Sequence, residues 1–246
     1  KFYRLAWIFY LVLAIAGLLW LGVQRGRLGI GLFVDPGGWW IDLGAGVAIG
    51  GGLLALWWAL RRWVAAARDL EDELARLLAP LSIAEAVSLA VISALAEELF
   101  FRGALQSAIG FLPAAVLFAL LHAGPGKGFR VWALFALAGG LALGALVSLR
   151  GPLGGAIVAH LMVNGVNLVR LAQLIDQISR STSAQAEATN QVAQNMQEIL
   201  EITRQTTRGT RAMPEPGHER RDAGTACAQK QRSADCPLPH ELASAR

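Results

Sequence analysis

Long apolar segments constrain the fold of this sequence more than any other feature. A helix needs about 20 apolar residues to cross the hydrocarbon core of a bilayer. Segments that meet or approach this length lie at residues 5–23, 39–60, 83–109, 111–123, 131–149 and 153–171 of the 246-residue chain. Because the backbone polar groups of a chain in lipid must be paired within the chain, these segments are expected to be helices. The sequence therefore predicts an all-α, polytopic transmembrane helix bundle of about six spans.

Composition and charge indicate the surroundings of the bundle. Apolar residues make up 54% of the chain, charged residues make up 16%, and the formal net charge is +4. This excess of Lys and Arg is small and scattered over the connecting segments, which indicates a lipid bilayer as partner and no nucleic acid. With the N-terminus inside, most of the connecting Lys and Arg residues lie on the inner side. This bias favours a cytoplasmic N-terminus.

Residues 1–82 are expected to hold the first two spans and a connector. Gly46 and Gly50 lie four residues apart in the second span and provide a small surface on which another helix can pack. The segment 61–80 then sets leucines among charged residues. This pattern fits an amphipathic helix at the membrane surface, and it fits a solvated connector equally well.

Three ionisable residues, Glu97, Glu98 and Arg102, interrupt the apolar segment 83–109. A charged side chain at bilayer depth costs about 2.5 to 3.5 kcal/mol on insertion scales, so such residues usually face a cavity and are paired. Glu98 and Arg102 are four residues apart, share a helical face and are predicted to form a structural ion pair. Glu97 is rotated from Glu98 by about 100° around the helix. It is therefore free to face another group.

Each of the two histidines in the apolar part has a partner four residues away: Phe118 precedes His122, and Asn164 follows His160. A single buried His is usually a hydrogen-bonded core residue. Together with Glu97, however, these residues supply a hydrolytic site, with a carboxylate to take a proton from water, an imidazole to orient that water and donors for an oxyanion. The same Glu97, His122 and His160 could instead ligate a metal ion. A structural polar cluster that joins three helices is the third alternative.

These residues form three motifs that follow one another along the chain. The motifs are Glu97-Glu98-xxx-Arg102, Phe118-xxx-His122 and His160-xxx-Asn164. In composition and order they resemble the EExxxR, FxxxH and HxxxN or HxxxD motifs of the CPBP intramembrane proteases. That family includes CAAX prenyl endopeptidases and bacterial bacteriocin-processing or immunity proteins of the Abi type. The resemblance covers about residues 83–171, and residues 83–172 are expected to form the protease core.

The resemblance implies a role for each of these residues. Glu97 would be the general base that activates the attacking water, and His122 would help to position this water. His160 and Asn164 would stabilise the oxyanion. The ion pair that follows Glu97 in the motif would hold the geometry of the site.

The resemblance also implies an intramembrane endopeptidase in a bacterial cell (inner) membrane, acting on a peptide or protein substrate near the membrane. In a glutamate mechanism no cofactor is expected. In a metalloprotease mechanism the expected cofactor is Zn²⁺. A non-catalytic membrane scaffold or bacteriocin-immunity protein with the same fold is the alternative. It predicts that at least one motif residue is replaced, and none is. A proton or metal transporter is a third hypothesis, since it also needs Glu and His within the membrane. Such transporters usually have inverted internal repeats. The sequence shows no such repeat, which argues against this hypothesis.

The composition changes after residue 172. Residues 173–212 are rich in Gln, Ser, Thr and Ala, with apolar residues at helical spacings, and predict a long soluble helix or coiled-coil strand. This segment resembles one helix of the cytoplasmic domain of type IV pilus chemoreceptors, and we expect self-association through it. Residues 213–246 combine Pro, Gly and mixed charge with little apolar periodicity, so they are predicted to be disordered.

Overall fold

The computed structural model describes residues 2–26 and 28–212. Within these ranges the regular structure is helical and no strand is present. The helices are α1 (Phe2–Arg25), α2 (Trp39–Trp63), α3 (Ala65–Leu78), α4 (Ile83–Glu97), α5 (Gln106–Ile109), α6 (Phe111–Leu121), α7 (Lys127–Arg150) and α8 (Gly154–Ala212). A π-helical segment, Glu98–Leu105, joins α4 to α5. The predicted all-α fold is confirmed for the described residues, whereas the disorder predicted for residues 213–246 falls outside them.

Among the described residues, the number of candidate membrane spans is smaller than the six or so that the sequence predicts. Four of the described helices, α1, α2, α7 and α8, are long and apolar enough to cross a membrane. Ala65–Leu78 and Ile83–Ile109 pass the same test only as a pair bent by 106°, which adds one span at most. Helix α6 has 11 residues, well below the roughly 20 that a span needs. The prediction of about six spans counted this short helix as a full crossing.

Helix α3 lies within the segment 61–80. It buries Ala67 and Leu70, while Arg76 on its other side is exposed. Gly128 of α7 packs directly on the buried face, because a Cβ added there would lie 3.0 Å from the Cβ of Leu70. Residues 65–78 therefore form a helix with one face packed on α7 and the other exposed.

Helix α1 covers the π-helical segment. At Gly17 the two backbones approach so closely that an added Cβ would lie 3.0 Å from the backbone nitrogen of Phe100. About two turns further along, the Gln24 side chain donates a hydrogen bond of 3.2 Å to the backbone oxygen of Ala104. This packing removes one side of the π-helical segment from the protein surface.

Helices α2 and α8 pack through small residues. A Cβ at Gly46 would collide with the backbone of Gly155, and one at Gly50 would lie 3.1 Å from the Cα of Ala159. The packing surface predicted for Gly46 and Gly50 is therefore confirmed, with α8 as the helix that packs on it. Since Ala159 directly precedes His160, this close approach fixes the height of His160 in the bundle.

Helix α8 continues without a break past residue 171, where the last predicted span ends, to Ala212. The chain divides into two compact units, Lys1–Thr182 and Ser183–Arg246. In the described part of the second unit, the side chains of residues 183–211 are exposed. All three sequence motifs lie in the first unit.

Candidate active site

A cavity of about 660 Å³ lies between the helices of the first unit. All four residues predicted to act in catalysis line it: Glu97, His122, His160 and Asn164. Glu97 is the last residue of α4, His122 follows α6, and His160 and Asn164 lie about one turn apart on α8. Three parts of the fold thus bring a carboxylate, two imidazoles and an amide to the wall of one cavity.

The acidic motif lies where α4 becomes π-helical. The π-helical segment begins at Glu98, directly after Glu97. Turns of this kind are rare, and they occur frequently at functional sites. The wider turn changes the direction in which side chains leave the helix, so the α-helical spacing assumed in the prediction does not hold from Glu98 to Leu105. Glu98 and Arg102 nevertheless meet.

His160 lies between the two carboxylates of the acidic motif. Its Nδ1 is 2.7 Å from Oε1 of Glu98, and its Nε2 is 3.7 Å from Oε2 of Glu97. All three side chains are buried, and Glu98 is fully inaccessible. Because an ionised carboxylate only accepts hydrogen bonds, Nδ1 of His160 donates its proton to Glu98. This bond fixes the imidazole so that Nε2 faces Glu97.

The space between Glu97 and His160 suits a small reacting group. The 3.7 Å between Oε2 and Nε2 is too long for a direct hydrogen bond. Oε2 of Glu97 has no hydrogen-bond partner among the described residues. Both atoms can reach one water molecule or one substrate oxygen beside them, at about 2.8 Å from each. The geometry therefore places a carboxylate oxygen and an imidazole nitrogen within reach of the same group.

Glu98 also pairs with Arg102, with 3.0 Å between its Oε1 and a terminal nitrogen of the guanidinium. Neither terminal nitrogen of Arg102 makes a directed hydrogen bond with a described residue. The guanidinium carbon instead lies 4.2 Å from the centre of the Phe118 ring. An ion pair and a cation–π contact thus hold the buried Arg102 side chain. The structure places the two predicted partners in contact and adds His160 to them as a third member.

Phe118 joins the two histidines. Its ring centroid lies 4.5 Å from that of His122 and 6.1 Å from that of His160. Nδ1 of His122 is 2.7 Å from the backbone oxygen of Phe118 and donates to it, since a carbonyl oxygen only accepts. Nε2 of His122 is therefore the nitrogen left to interact with water or substrate. The ring centroids of Trp132 of α7 and His122 lie 5.3 Å apart. This contact limits the rotation of the His122 ring.

Among the cavity residues that were not predicted from the sequence are Ser93 and Tyr10. Ser93 of α4 accepts a hydrogen bond of 2.9 Å from Nδ2 of Asn164, and Tyr10 of α1 lines the same cavity wall as Glu97. The sequence did contain an indication that Ser93 belongs to the site, because Ser93 is a polar residue four positions before Glu97 in an apolar helix. The sequence contained no such indication for Tyr10, since a single Tyr in a first span does not show which later residue it faces.

The remaining cavity wall combines apolar and charged side chains. The apolar lining residues include Leu70, Leu74 and Leu78 of α3, Leu89 of α4, and Leu168 and Leu171 of α8. Among the charged ones, Arg61 pairs with Glu71 at 2.5 Å, and Arg68 donates a hydrogen bond of 2.7 Å to the backbone oxygen of Arg61. A mostly apolar cavity with a few placed polar groups is typical of a site for an organic ligand.

The residues expected as zinc ligands are Glu97, His122 and His160. The described residues contain no group of three or more His, Cys, Asp or Glu side chains arranged to hold a metal ion. Glu97 and His160 approach each other, whereas Nδ1 of His122 is engaged by the backbone of Phe118. Among the described residues, these three side chains therefore do not form a ready-made ligand set.

Comparison with known proteins agrees with the motif resemblance. Residues 79–166 match a family described as Rce1-like, type II CAAX prenyl endopeptidase Rce1-like. This segment contains all three motifs and covers less than half of the chain. No curated protein and no solved structure matched. Over residues 79–166, the family match confirms the resemblance to CPBP/CAAX proteases.

Proposed function

We propose that the chain is a membrane-embedded endopeptidase that hydrolyses a peptide bond near the membrane with a water activated by Glu97. The family supports a peptidase, and the candidate spans support a membrane protein. One observation carries the mechanism: Oε2 of Glu97 and Nε2 of His160 lie 3.7 Å apart in the wall of a cavity. Water bound to Glu97 and a substrate carbonyl oxygen bound to His160 would lie next to each other there.

Attack on the peptide bond begins at Glu97. Its Oε2 is free of hydrogen-bond partners among the described residues, so it can take a proton from water while the water oxygen bonds to the carbonyl carbon. Nε2 of His122 lies in the same cavity wall and would help to orient this water. The products of the step are a protonated Glu97 and a tetrahedral intermediate that carries an oxyanion.

Asn164 and His160 would stabilise the oxyanion. Nδ2 of Asn164 has a second N–H besides the one that it donates to Ser93. Nδ1 of His160 is committed to Glu98, so Nε2 donates only when the ring carries both protons. The imidazolium then also supplies a positive charge next to the oxyanion. Removing one such donor typically lowers kcat by about 10²- to 10³-fold.

Collapse of the intermediate completes the reaction. The protonated Glu97 gives its proton to the amine nitrogen of the leaving group as the C–N bond breaks. This yields a carboxylic acid and an amine and returns Glu97 to its starting state. No cofactor is needed in this mechanism, whereas a metalloprotease mechanism would need Zn²⁺.

The same proposal covers partners and location. The family resemblance and the candidate spans support a bacterial inner membrane location. The distribution of Lys and Arg supports an N-terminus in the cytoplasm. The partners would be the lipid bilayer and a peptide or protein substrate, without nucleic acid. In the second unit, exposed apolar side chains at Val192, Met196, Ile199 and Ile202 support self-association through this helix.

Cleavage by the 246-residue chain tests the proposal. Wild type in proteoliposomes is incubated with a peptide library, and new chain ends are identified by mass spectrometry. Glu97→Gln keeps the size of the side chain but cannot take the proton, so turnover should fall by about 10²-fold or more. Glu73→Gln, an exposed site on α3 outside the cavity, should cleave like wild type. Equal cleavage by Glu97→Gln and wild type, or no cleavage by wild type, would contradict the proposal.

A further inference from the structure

We infer that Ser93 is a positioning residue for this hydrolysis, and that it acts by orienting the carboxamide of Asn164 toward the reacting group. The inference rests on the proposed function. Nδ2 of Asn164 lies 2.9 Å from Oγ of Ser93. Both side chains line the cavity that contains Glu97 and His160. Ser93 belongs to none of the three sequence motifs.

The proton of the Ser93 hydroxyl determines how the carboxamide is turned. The hydroxyl donates this single proton to the backbone oxygen of Ala90, at 3.3 Å. Only its lone pairs remain for Asn164, so Ser93 accepts and the carboxamide must present its nitrogen. Since one N–H of Nδ2 is used in this bond, the second N–H is the donor left for an oxyanion.

Ser93 also forms a polar contact between α4 and α8 that lies next to the contact of Glu97 with His160. Ser93 precedes Glu97 by four residues, and Asn164 follows His160 by four residues. Each pair is therefore separated by about 6 Å along its helix. Ser93 meets Asn164 at 2.9 Å, and Glu97 meets His160 at 3.7 Å. Two contacts about one turn apart fix the position of the oxyanion donor relative to the base.

Burial makes this contact difficult to replace. Ser93 is 2% exposed. Alanine at this position would leave Nδ2 of Asn164 without its acceptor and would allow the carboxamide to rotate. The carboxamide oxygen would then face the cavity in part of the molecules, and an oxygen repels an oxyanion. The loss should therefore appear in the chemical step and not in substrate binding.

Steady-state kinetics of Ser93→Ala, in proteoliposomes and with a library peptide that wild type cleaves, tests the inference. We expect kcat to fall by about tenfold, the equivalent of one hydrogen bond, with KM unchanged. Ser93→Thr retains the hydroxyl and should recover most of the rate. Unchanged kcat in a folded Ser93→Ala protein, or a rise in KM alone, would overturn the inference.

A double-mutant cycle separates positioning from a general structural role. If Ser93 acts only through Asn164, Ser93→Ala should have no further effect on kcat in an Asn164→Ala background. Additive losses would show that Ser93 acts by another route and would overturn the inference. Thermal unfolding of wild type, the two single variants and the double variant shows whether all four proteins are folded.

Ser88 provides a matched control on the same helix. Its hydroxyl also donates to a backbone oxygen three residues earlier and meets the side chain of another helix, Tyr3 of α1, at 2.8 Å. Ser88 does not line the cavity, so Ser88→Ala should keep the wild-type kcat.

If Glu97→Gln and Asn164→Ala keep wild-type rates, the proposed function fails. If both lose activity while Ser93→Ala does not, only the inference fails.

Discussion

Nδ1 of His160 lies 2.7 Å from Oε1 of Glu98, and the same oxygen lies 3.0 Å from the guanidinium of Arg102. Glu98 is fully buried, so both of its partners are held away from bulk water. The second Glu of the acidic motif thus orients an imidazole on α8 and also balances a cation on its own helix. The stability of the fold and the geometry of the site depend on the same carboxylate.

Arg102→Ala should destabilise the protein as well as inactivate it. Removing one partner of a buried ion pair typically costs about 3 to 5 kcal/mol, because a charge remains buried without compensation. We expect a lower folded yield and a lower unfolding temperature in detergent, together with reduced turnover. Normal stability with activity alone lost would instead assign Arg102 to the substrate or the transition state.

Arg180→Ala is the matched control for this variant. Arg180 pairs with Asp176 at 2.8 Å with the same spacing of four residues, but both side chains are largely exposed. Exposed ion pairs contribute little to stability. The control should therefore unfold at the wild-type temperature, and a loss similar to that of Arg102→Ala would show that burial is not the cause.

Local spacing explains what could be predicted from the sequence. The apolar segments predicted the helices, because a chain in lipid must pair its own backbone groups. Glu98 and Arg102 could be paired because residues four apart are neighbours on a helix. Gly46 and Gly50 indicated a packing surface because small residues let helix backbones approach. Each of these inferences needs only a few consecutive turns of one segment.

The contacts between segments could not be predicted in the same way. The contact of Glu98 with His160 depends on how α4 is rotated against α8, and no local pattern determines this rotation. The π-helical segment from Glu98 to Leu105 changes the rotation further. Tyr10 and Ser93 reach the site through packing of whole helices. The short α6 shows in addition that an apolar segment need not be a complete span.

Gly46→Ala tests the close packing of α2 on α8. The new Cβ would collide with the backbone of Gly155, and overpacking of this kind typically costs about 1 to 3 kcal/mol. Since α8 carries His160 and Asn164, we expect reduced turnover together with a lower unfolding temperature. Gly51→Ala is the control, because an added Cβ there meets no atom within 4 Å. Equal effects of the two substitutions would contradict a role of packing at Gly46.

Removal of the second unit should leave activity unchanged. A truncation after Thr182 keeps every residue that lines the cavity, the last of which is Gln177. A truncation after Gln173 removes Leu174 from the cavity wall and Ile175 from a buried cluster. The first protein should fold and cleave like wild type, and the second should lose both properties. Loss of cleavage in a folded protein that ends at Thr182 would show that the following helix takes part in catalysis.

Chelation distinguishes the two mechanisms that the sequence left open. In the glutamate mechanism Glu97 takes the proton of the attacking water directly, so wild type treated with a chelator should keep its rate. Glu97→Gln should fall by about 10²-fold or more in the same preparation. The metal content of both proteins, measured beside their rates, excludes an effect of incomplete loading. Wild-type activity that is lost on chelation and restored by Zn²⁺ would instead assign a metal to Glu97, His122 and His160. That result would require the three side chains to move together when the metal binds, because they do not form a ligand set among the described residues.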